Sequence, residues 1–364
     1  MRLALVHDWF NNLGGAERVL IELHKIFPEA PIYALFAKKK FIQDFLSKAD
    51  IRTSSLQKFP FISKLYKYLF FAMPSAIESF DLSDFDVIIS SSVIFSKGLV
   101  LKPKTRHICY CYSPTRFLWD RHAEYENQGL LGGLSRHLLR IWDRQASDRV
   151  DEFVAISEYV RDRIRKYYRR DSKIIYPPTT ITTSNVVMTN SDLRSRNYHP
   201  YYLIVSRLFP HKNIDVAIDA FNKLGYELVI IGDGPARKDL EKMARKNIRI
   251  LGFKNDVAIK DAYQNCKAFI MPQEEDFGLT PIEAMSFGKP VLALRKGGAL
   301  ETVVEGVTGE FFDDPIPEAL ADGIRRLNDN YQNYDPSVIH KQAEKFSRER
   351  FKKEILSLIN RTPV

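Results

Sequence analysis

The chain has 364 residues, too many for one ordinary compact core, so two domains are expected. Its hydrophobic and charged fractions, 45% and 27%, are those of a globular protein and exclude a disordered or fibrous chain. The formal charge of +9 sits almost wholly in residues 1–190, where 28 Lys+Arg face 20 Asp+Glu; residues 191–364 carry 26 against 25.

A basic half suits phosphate groups, an anionic membrane or nucleic acid, and also simply keeps a protein soluble. No helix-turn-helix, RNA-binding or zinc motif supports nucleic acid as a partner. Cys109, Cys111 and Cys266 form neither a disulfide framework nor a zinc spacing, which fits a reducing, cytoplasmic compartment. No run is long enough to span a membrane. The strand-like start after Met1 leads us to expect no signal peptide.

In chain order, "RLALVHDW" reads as a buried strand, "NNLGG" as a loop and "AERVLIELHKIF" as an amphipathic helix with Val19, Leu20, Leu23 and Phe27 on one face. Short β-rich runs recur at "DVIISSS", "HICYCYSP" and "EFVAIS", separated by helical or polar segments. Residues 179–197 lapse into a polar linker. A second alternation follows through "YYLIVSRL", "ELVIIGDGP", "IRILGF", "KAFIMPQ" and "PVLAL". The pattern predicts an α/β chain of two doubly wound, Rossmann-like domains, 1–190 and 191–340, with a helical segment over 341–364 that packs back toward the first domain.

Open α/β sheets bind ligands beyond the carboxyl ends of their strands, so the loops there are the candidates. Gly14 and Gly15 stand between the first strand and helix, where backbone amides favour phosphate, although a tight turn explains them equally well. Arg207 and Lys212 lie five apart on one loop and suit a diphosphate; as an isolated pair they would more often be solvated. Thr280, Pro281 and Glu283 read as N-cap, first helical residue and capping-box partner, a purely structural account of Glu283. The segment Asp276–Leu279 would aim free amides at an anion.

Glu275 and Glu283 are eight positions apart. A glycosidase pair must flank its bond from opposite sides, about 5–5.5 Å apart for retention and more for inversion. Two acids on one loop and the helix that follows it are poorly placed for that, and a hydrolytic pair is not expected.

Taken together, "EDFGLTPIE", "VSRLFPHK", "IIGDGP", "ILGF" and "GGALETV" resemble, in order and position, the retaining GT-B glycosyltransferases of family 4 (glycosyl transferases group 1). The first half, with "MPSAIESFDLSDFDVIISSSVIFSKG" and "HICYCYSPTRFLWD", is similar to bacterial mannosyltransferases of O-antigen and exopolysaccharide synthesis. The resemblance implies two Rossmann-like domains facing across a cleft, an acceptor domain first and a donor domain second. It implies transfer of a sugar, with GDP-mannose the expected donor, to a glycan on a polyprenyl diphosphate, without a metal or other cofactor.

By the same resemblance Glu283 would hold the ribose and Glu275 the transferred sugar, while Arg207 and Lys212 would neutralise the departing diphosphate. Amides of Phe277, Gly278, Leu279 and Thr280 would steady the sugar and distal phosphate. Gly14 and Gly15 would reach the phosphates, and Phe253 would pack on the base. Tyr112 stands where related sequences often have histidine; it is a poor base near neutral pH. Arg116 is a candidate for an acceptor phosphate, with a surface salt bridge as the plain alternative.

The stretch Leu56–Ile77 mixes aromatics and leucines with Lys58, Lys64 and Lys67, which suits a helix lying on anionic lipid or an ordinary core helix with a wet side. With the basic run Arg161–Arg170 it points to a peripheral place on the inner face of the plasma membrane. Two other readings compete. A nucleotide-sugar epimerase of GT-B fold would turn over donor without acceptor, and a two-domain sugar-binding protein of the periplasmic type would need an export signal.

Overall fold

A computed structural model describes residues 1–120, 129–183 and 200–360. The chain divides into two compact units, Met1–Pro177 with Lys352–Val364, and Pro178–Phe351. The boundary thus falls at Pro177 rather than after residue 190. The expected 341–364 segment is itself divided at Phe351. Most of the linker read over 179–197 lies outside the described residues.

The first unit runs β1 (Leu3–His7), α1 (Gly15–Ile26), β2 (Ile32–Ala34), α2 (Lys39–Phe45), β3 (Ile51–Thr53), α3 (Ile62–Leu65), α4 (Met73–Glu78) and β4 (Val87–Ser92). It continues β5 (Arg106–Cys111), α5 (Gly129–Asp148), β6 (Glu152–Ala155), α6 (Glu158–Tyr168) and β7 (Ser172–Ile174). Its strands form one parallel sheet in the order β3-β2-β1-β4-β5-β6-β7. β1, β4 and β5 are almost wholly buried, serines and histidines included, as the central strands of a parallel sheet are.

The second unit runs β8 (Tyr202–Val205), α7 (Ile214–Leu224), β9 (Leu228–Ile231), α8 (Arg237–Met243), β10 (Ile248–Ile250), α9 (Asp256–Asn265) and β11 (Ala268–Met271). Then come α10 (Leu279–Ser286), β12 (Val291–Leu294), α11 (Ala299–Thr302), β13 (Gly309–Phe312), α12 (Pro317–Asp329), α13 (Pro336–Glu344) and α14 (Arg348–Ile359). The parallel sheet has the order β10-β9-β8-β11-β12-β13. From Lys352 onward α14 belongs to the first unit, where Arg106 donates to the carbonyls of Leu358 and Ile359. A guanidinium there satisfies acceptors that a helix end leaves open.

In both sheets the chain winds outward in one direction and then returns to the middle to wind the other way. The reversal lies between β1 and β4 in the first unit and between β8 and β11 in the second. Flanking crossovers diverge at such a point and leave a crevice at the strand ends.

Two buried carboxylates hold the strand-end loops of the first unit. Asp8, 1% exposed, accepts the backbone N–H groups of Val93, Ile94, Phe95 and Ser96 at 2.5–3.0 Å. Asp143, wholly buried on α5, accepts from Lys97 and Thr115 at 2.6 Å, from Trp119 at 2.8 Å and from Tyr168 at 2.9 Å. Asp8 fixes the turn after β4, and Asp143 fixes the one after β5. Asp8→Ala should cost about 3 kcal/mol or more, since it strands several buried donors at once. It should appear as a clear fall in melting temperature by calorimetry; an unchanged melting temperature would show that the turn holds without it.

Candidate functional site

The second unit gathers its candidate residues on the two sides of its reversal point. Arg207 and Lys212 follow β8, and Glu275 follows β11. The loops are joined through their backbones. Leu208 N–H donates to Asp233 O and Ala236 N–H to Leu208 O, both at 3.0 Å, while Gly232 N–H donates to Gly252 O. A Cβ on Gly232 would stand 1.8 Å from the Ser206 carbonyl oxygen, and one on Gly234 2.3 Å from that of Leu208. The turn in "IIGDGP" is therefore glycine-rich because the loop carrying Arg207 lies directly on it.

Across the reversal point, Asn213 donates to Pro272 O at 3.1 Å, and Lys212 Nζ meets Glu275 Oε1 at 2.5 Å. Gln273 donates to the same oxygen at 3.0 Å. Beyond Glu275, Gly298 N–H donates to its carbonyl at 2.9 Å, and Gly297, at φ 64°, leaves no room for a Cβ against that oxygen. The "GGALETV" stretch thus fixes the backbone that carries Glu275.

Lys212 is buried to 8% exposure and Glu275 keeps 26%. Burial alone would raise the Glu275 pKa. The charge and hydrogen bond of Lys212, the Gln273 amide and the charge of Arg207 outweigh it and hold the carboxyl below its usual range. Arg207 is exposed, with its guanidinium 5.5 Å from the centre of the Phe209 ring. The arrangement keeps two positive groups and one anionic oxygen at a strand-end crevice, with Arg207 open to an incoming anion.

One structural expectation is corrected. α10 begins at Leu279 with Gly278 as its N-cap, at φ 88°, so Thr280 is not the cap and Pro281 is not the first helical residue. Glu283 falls at the fifth helical position, beyond reach of the cap, and the expected capping box does not form. Its side chain is 4% exposed, and Oε2 accepts from the Tyr263 hydroxyl at 2.9 Å. Phe277 is buried against Phe346, ring centres 5.4 Å apart, and Gly278 supplies no side-chain oxygen to the first amides of α10. Phe253, after β10, is 76% exposed. Sequence reading missed Tyr263, Gln273 and Asn213.

In the first unit Gly14 is the N-cap of α1, and its N–H donates to Glu17 Oε2 at 2.8 Å. Glu17 Oε1 lies 3.7 Å from His7 Nε2. His7 Nδ1 faces Ser91 O at 2.9 Å, which requires the proton on Nδ1. Burial disfavours the imidazolium, but the Glu17 and Asp8 carboxylates and the Ser91 carbonyl outweigh it and raise the His7 pKa. The Tyr112 hydroxyl donates to Ala16 O at 3.0 Å and lies 2.9 Å from Ser91 Oγ. Tyr112 therefore braces the end of β5 against α1, and burial raises its pKa well above the ordinary phenol value. Arg116 pairs with Asp120, which Arg163 also holds.

Residues 13–184 match the model of Glycosyltransferase Family 4, and residues 190–349 that of Glycosyl transferases group 1. The chain is a glycosyltransferase of the group 1 and family 4 type. An uncharacterised glycosyltransferase of Methanocaldococcus jannaschii is 26% identical over 196 residues, 52% of this chain and about half (53%) of that protein. The alpha-1,3/1,6-mannosyltransferase ALG2 of Kluyveromyces lactis is 24% identical over 366 residues, covering 84% of this chain and 71% of its own. Among solved structures, Anabaena HepE in complex with UDP superposes with a TM-score of 0.73 at 20% identity, over 99% of both chains. The fold is GT-B, two parallel-sheet Rossmann-like domains.

The Lys212–Glu275 pair makes a prediction with a sign. Glu275, its pKa depressed, stabilises the fold above the ordinary carboxylate range and loses that contribution as pH falls through its folded pKa. In Lys212→Met the carboxylate keeps its burial and loses its cation, at a cost of about 1–3 kcal/mol at pH 7. The gap in melting temperature between variant and wild type should narrow from pH 7 to pH 4; a constant gap would mean that the pair is not electrostatic.

Proposed function

We propose that this glycosyltransferase moves a hexose, mannose from GDP-mannose, onto a hydroxyl of a polyprenyl-diphosphate-linked glycan with retention of configuration and no metal. The observation that carries the donor site is the Lys212–Glu275 pair across the β8/β11 reversal point, with the exposed Arg207 on the same loop as Lys212. Two cations at a strand-end crevice, Lys212 buried and Arg207 open, would stabilise a departing diphosphate, the charge that develops as the glycosidic C–O bond breaks. Glu275, already an anion, would accept hydrogen bonds from hydroxyls of the transferred sugar. Amides of Phe277, Gly278, Leu279 and Thr280 would steady the sugar and distal phosphate, Glu283 would hold the ribose diol, and Phe253 would cover the base. Gly14 and Gly15 would offer further amides to phosphate.

The mannosyl reading draws on the resemblance of the first half and on the name of the yeast relative; HepE, by contrast, was crystallised with UDP. Titration of the purified protein with GDP, GDP-mannose, UDP and UDP-glucose in EDTA distinguishes the bases. We expect binding of the guanine pair alone; tight binding of UDP instead would overturn the donor, and a requirement for Mg²⁺ would overturn metal independence. Arg207→Ala should depress turnover about 10²-fold or more. Near-normal turnover would overturn the diphosphate role. Release of free or epimerised sugar at full rate without acceptor would favour an epimerase.

We also propose that the first unit rests on the inner face of the plasma membrane, toward its lipid-linked acceptor. Phe59, Phe61, Leu65, Tyr68 and Phe71 are exposed within thirteen residues, Phe61 at 72% and Tyr68 at 82%. Leu134, Leu138 and Ile141 form an exposed stripe at helical spacing on α5. Tyr66, Leu69 and Phe70 from the first segment and Leu139 and Trp142 from α5 enter one apolar cluster, so the two exposed sets flank a common core. Apolar side chains beside Lys58 and Lys64 suit an anionic lipid interface. No helix among the described residues is long and apolar enough to cross a membrane. Flotation with phosphatidylglycerol vesicles should carry the wild type up, and Phe61→Ser with Tyr68→Ser should leave most of it in the pellet fraction. Equal flotation of both, or none of the wild type, would sink this placement.

A further inference from the structure

Two donors converge on one oxygen of Glu275. Lys212 Nζ and Gln273 Nε2 both bond Oε1, at 2.5 and 3.0 Å, and among the described residues no group bonds Oε2. The two donors are not equivalent. Lys212 is a cation, and its work on a departing diphosphate competes with its bond to Glu275. Gln273 is neutral and 3% exposed, out of reach of a phosphate. A carboxylate oxygen only accepts, so the amide must turn its N–H groups toward Glu275 and its own oxygen away. That oxygen, Gln273 Oε1, is buried and meets no donor among the described residues. A stranded buried acceptor is destabilising, so the amide is aimed at Glu275 at a cost in stability, a mark of a group kept for function. The loop backbone does not need the bond. Asn213 holds Pro272 O at 3.1 Å and Gly298 N–H holds Glu275 O at 2.9 Å, on either side of Gln273.

We propose that Gln273 is a positioning residue for recognition of the transferred sugar. It keeps Glu275 Oε1 in place when Lys212 turns to the diphosphate, so that Oε2 meets a hydroxyl of the hexose. The inference rests on the sugar role given to Glu275 above. The terminal torsion of a glutamate is broad, and a carboxylate without a fixed donor turns freely through it. An amide removes that freedom and leaves the charge intact, so the carboxylate remains a strong acceptor for a hydroxyl. A second lysine there would neutralise it.

Gln273→Met keeps the length of the side chain and removes both the donor and the stranded acceptor. Calorimetry with wild type, Gln273→Met and Glu275→Gln uses GDP with GDP-mannose, or UDP with UDP-glucose, whichever pair the wild type binds. In Gln273→Met the affinity for the nucleotide sugar should fall about tenfold, while that for the nucleoside diphosphate stays within about twofold and the melting temperature is equal to wild type or higher. If Gln273→Met binds the nucleotide sugar normally and Glu275→Gln does not, Glu275 keeps its role and Gln273 has none. If Gln273→Met melts well below wild type and loses both ligands together, Gln273 belongs to the packing and the inference fails. A wild type that binds neither pair, or a Glu275→Gln that binds the nucleotide sugar normally, removes the sugar role of Glu275 and the inference with it. Gln273→Glu is a second variant of the same shape, whose new carboxyl can donate to Glu275 only when it carries a proton. Its loss of nucleotide-sugar affinity relative to wild type should therefore shrink from about pH 8 to about pH 5. A loss that does not change with pH would overturn the donor role of the amide.

Discussion

The second unit depends on how closely its loops approach one another. Gly232 and Gly234 let the turn after β9 press its backbone onto the loop after β8, and Gly297 does the same for the segment after β12 against Glu275. Any side chain there would have to occupy space already filled by a carbonyl oxygen. The consequence reaches the charges. Arg207 and Lys212 come from one crossover and Glu275 from another, yet hydrogen bonds join the two loops, so their mutual geometry is set before a ligand arrives. Preorganisation of this kind is what makes a charged site effective, since dipoles and cations already in place need not reorganise as charge develops.

The two units treat strand-end charge differently. In the first, Asp8 is consumed by four amides, Asp143 by four donors, and Glu17 lies between Gly14 N–H and His7. These carboxylates act as structural clamps on the turns after β4 and β5 and on the start of α1. In the second unit, Lys212 has Glu275, but Arg207 is exposed and, among the described residues, has no carboxylate within ion-pair distance. Burying a charge requires a partner, whereas a charge kept for a ligand must remain reachable. By that criterion the second unit holds the group best suited to an external anion.

The sequence displayed the α/β alternation, the place of the loops and the charged pair after β8, because each is a local signal of period or composition. It did not display what depends on distant partners. Thr280-Pro281-x-Glu283 satisfies a local capping rule, yet Gly278 adopts a left-handed backbone and starts the helix earlier, so the rule applies to a register the chain does not use. Tyr112 could be noted as a tyrosine, but its role as a brace follows from Ala16 and Ser91, elements away in the chain. The edge of the second compact unit also depends on distant partners. A polar linker is visible as composition, whereas Pro178–Thr183 joins the second unit through contacts such as Thr179 N–H to Phe346 O.

The same distinction explains why Glu283 and Glu275 look alike in sequence and differ in the fold. Glu275 lies in a loop, half shielded, with a cation 2.5 Å away; its charge is maintained by that neighbour. Glu283 lies on a helix, nearly inaccessible, with a phenol at hydrogen-bond distance. A carboxylate held by a lysine can exchange that cation for sugar hydroxyls at the cost of an ion pair. The first environment suits a group that rearranges as charge moves during transfer. The second, nearly inaccessible and beside packed aromatic rings, suits a group that stays where the fold puts it.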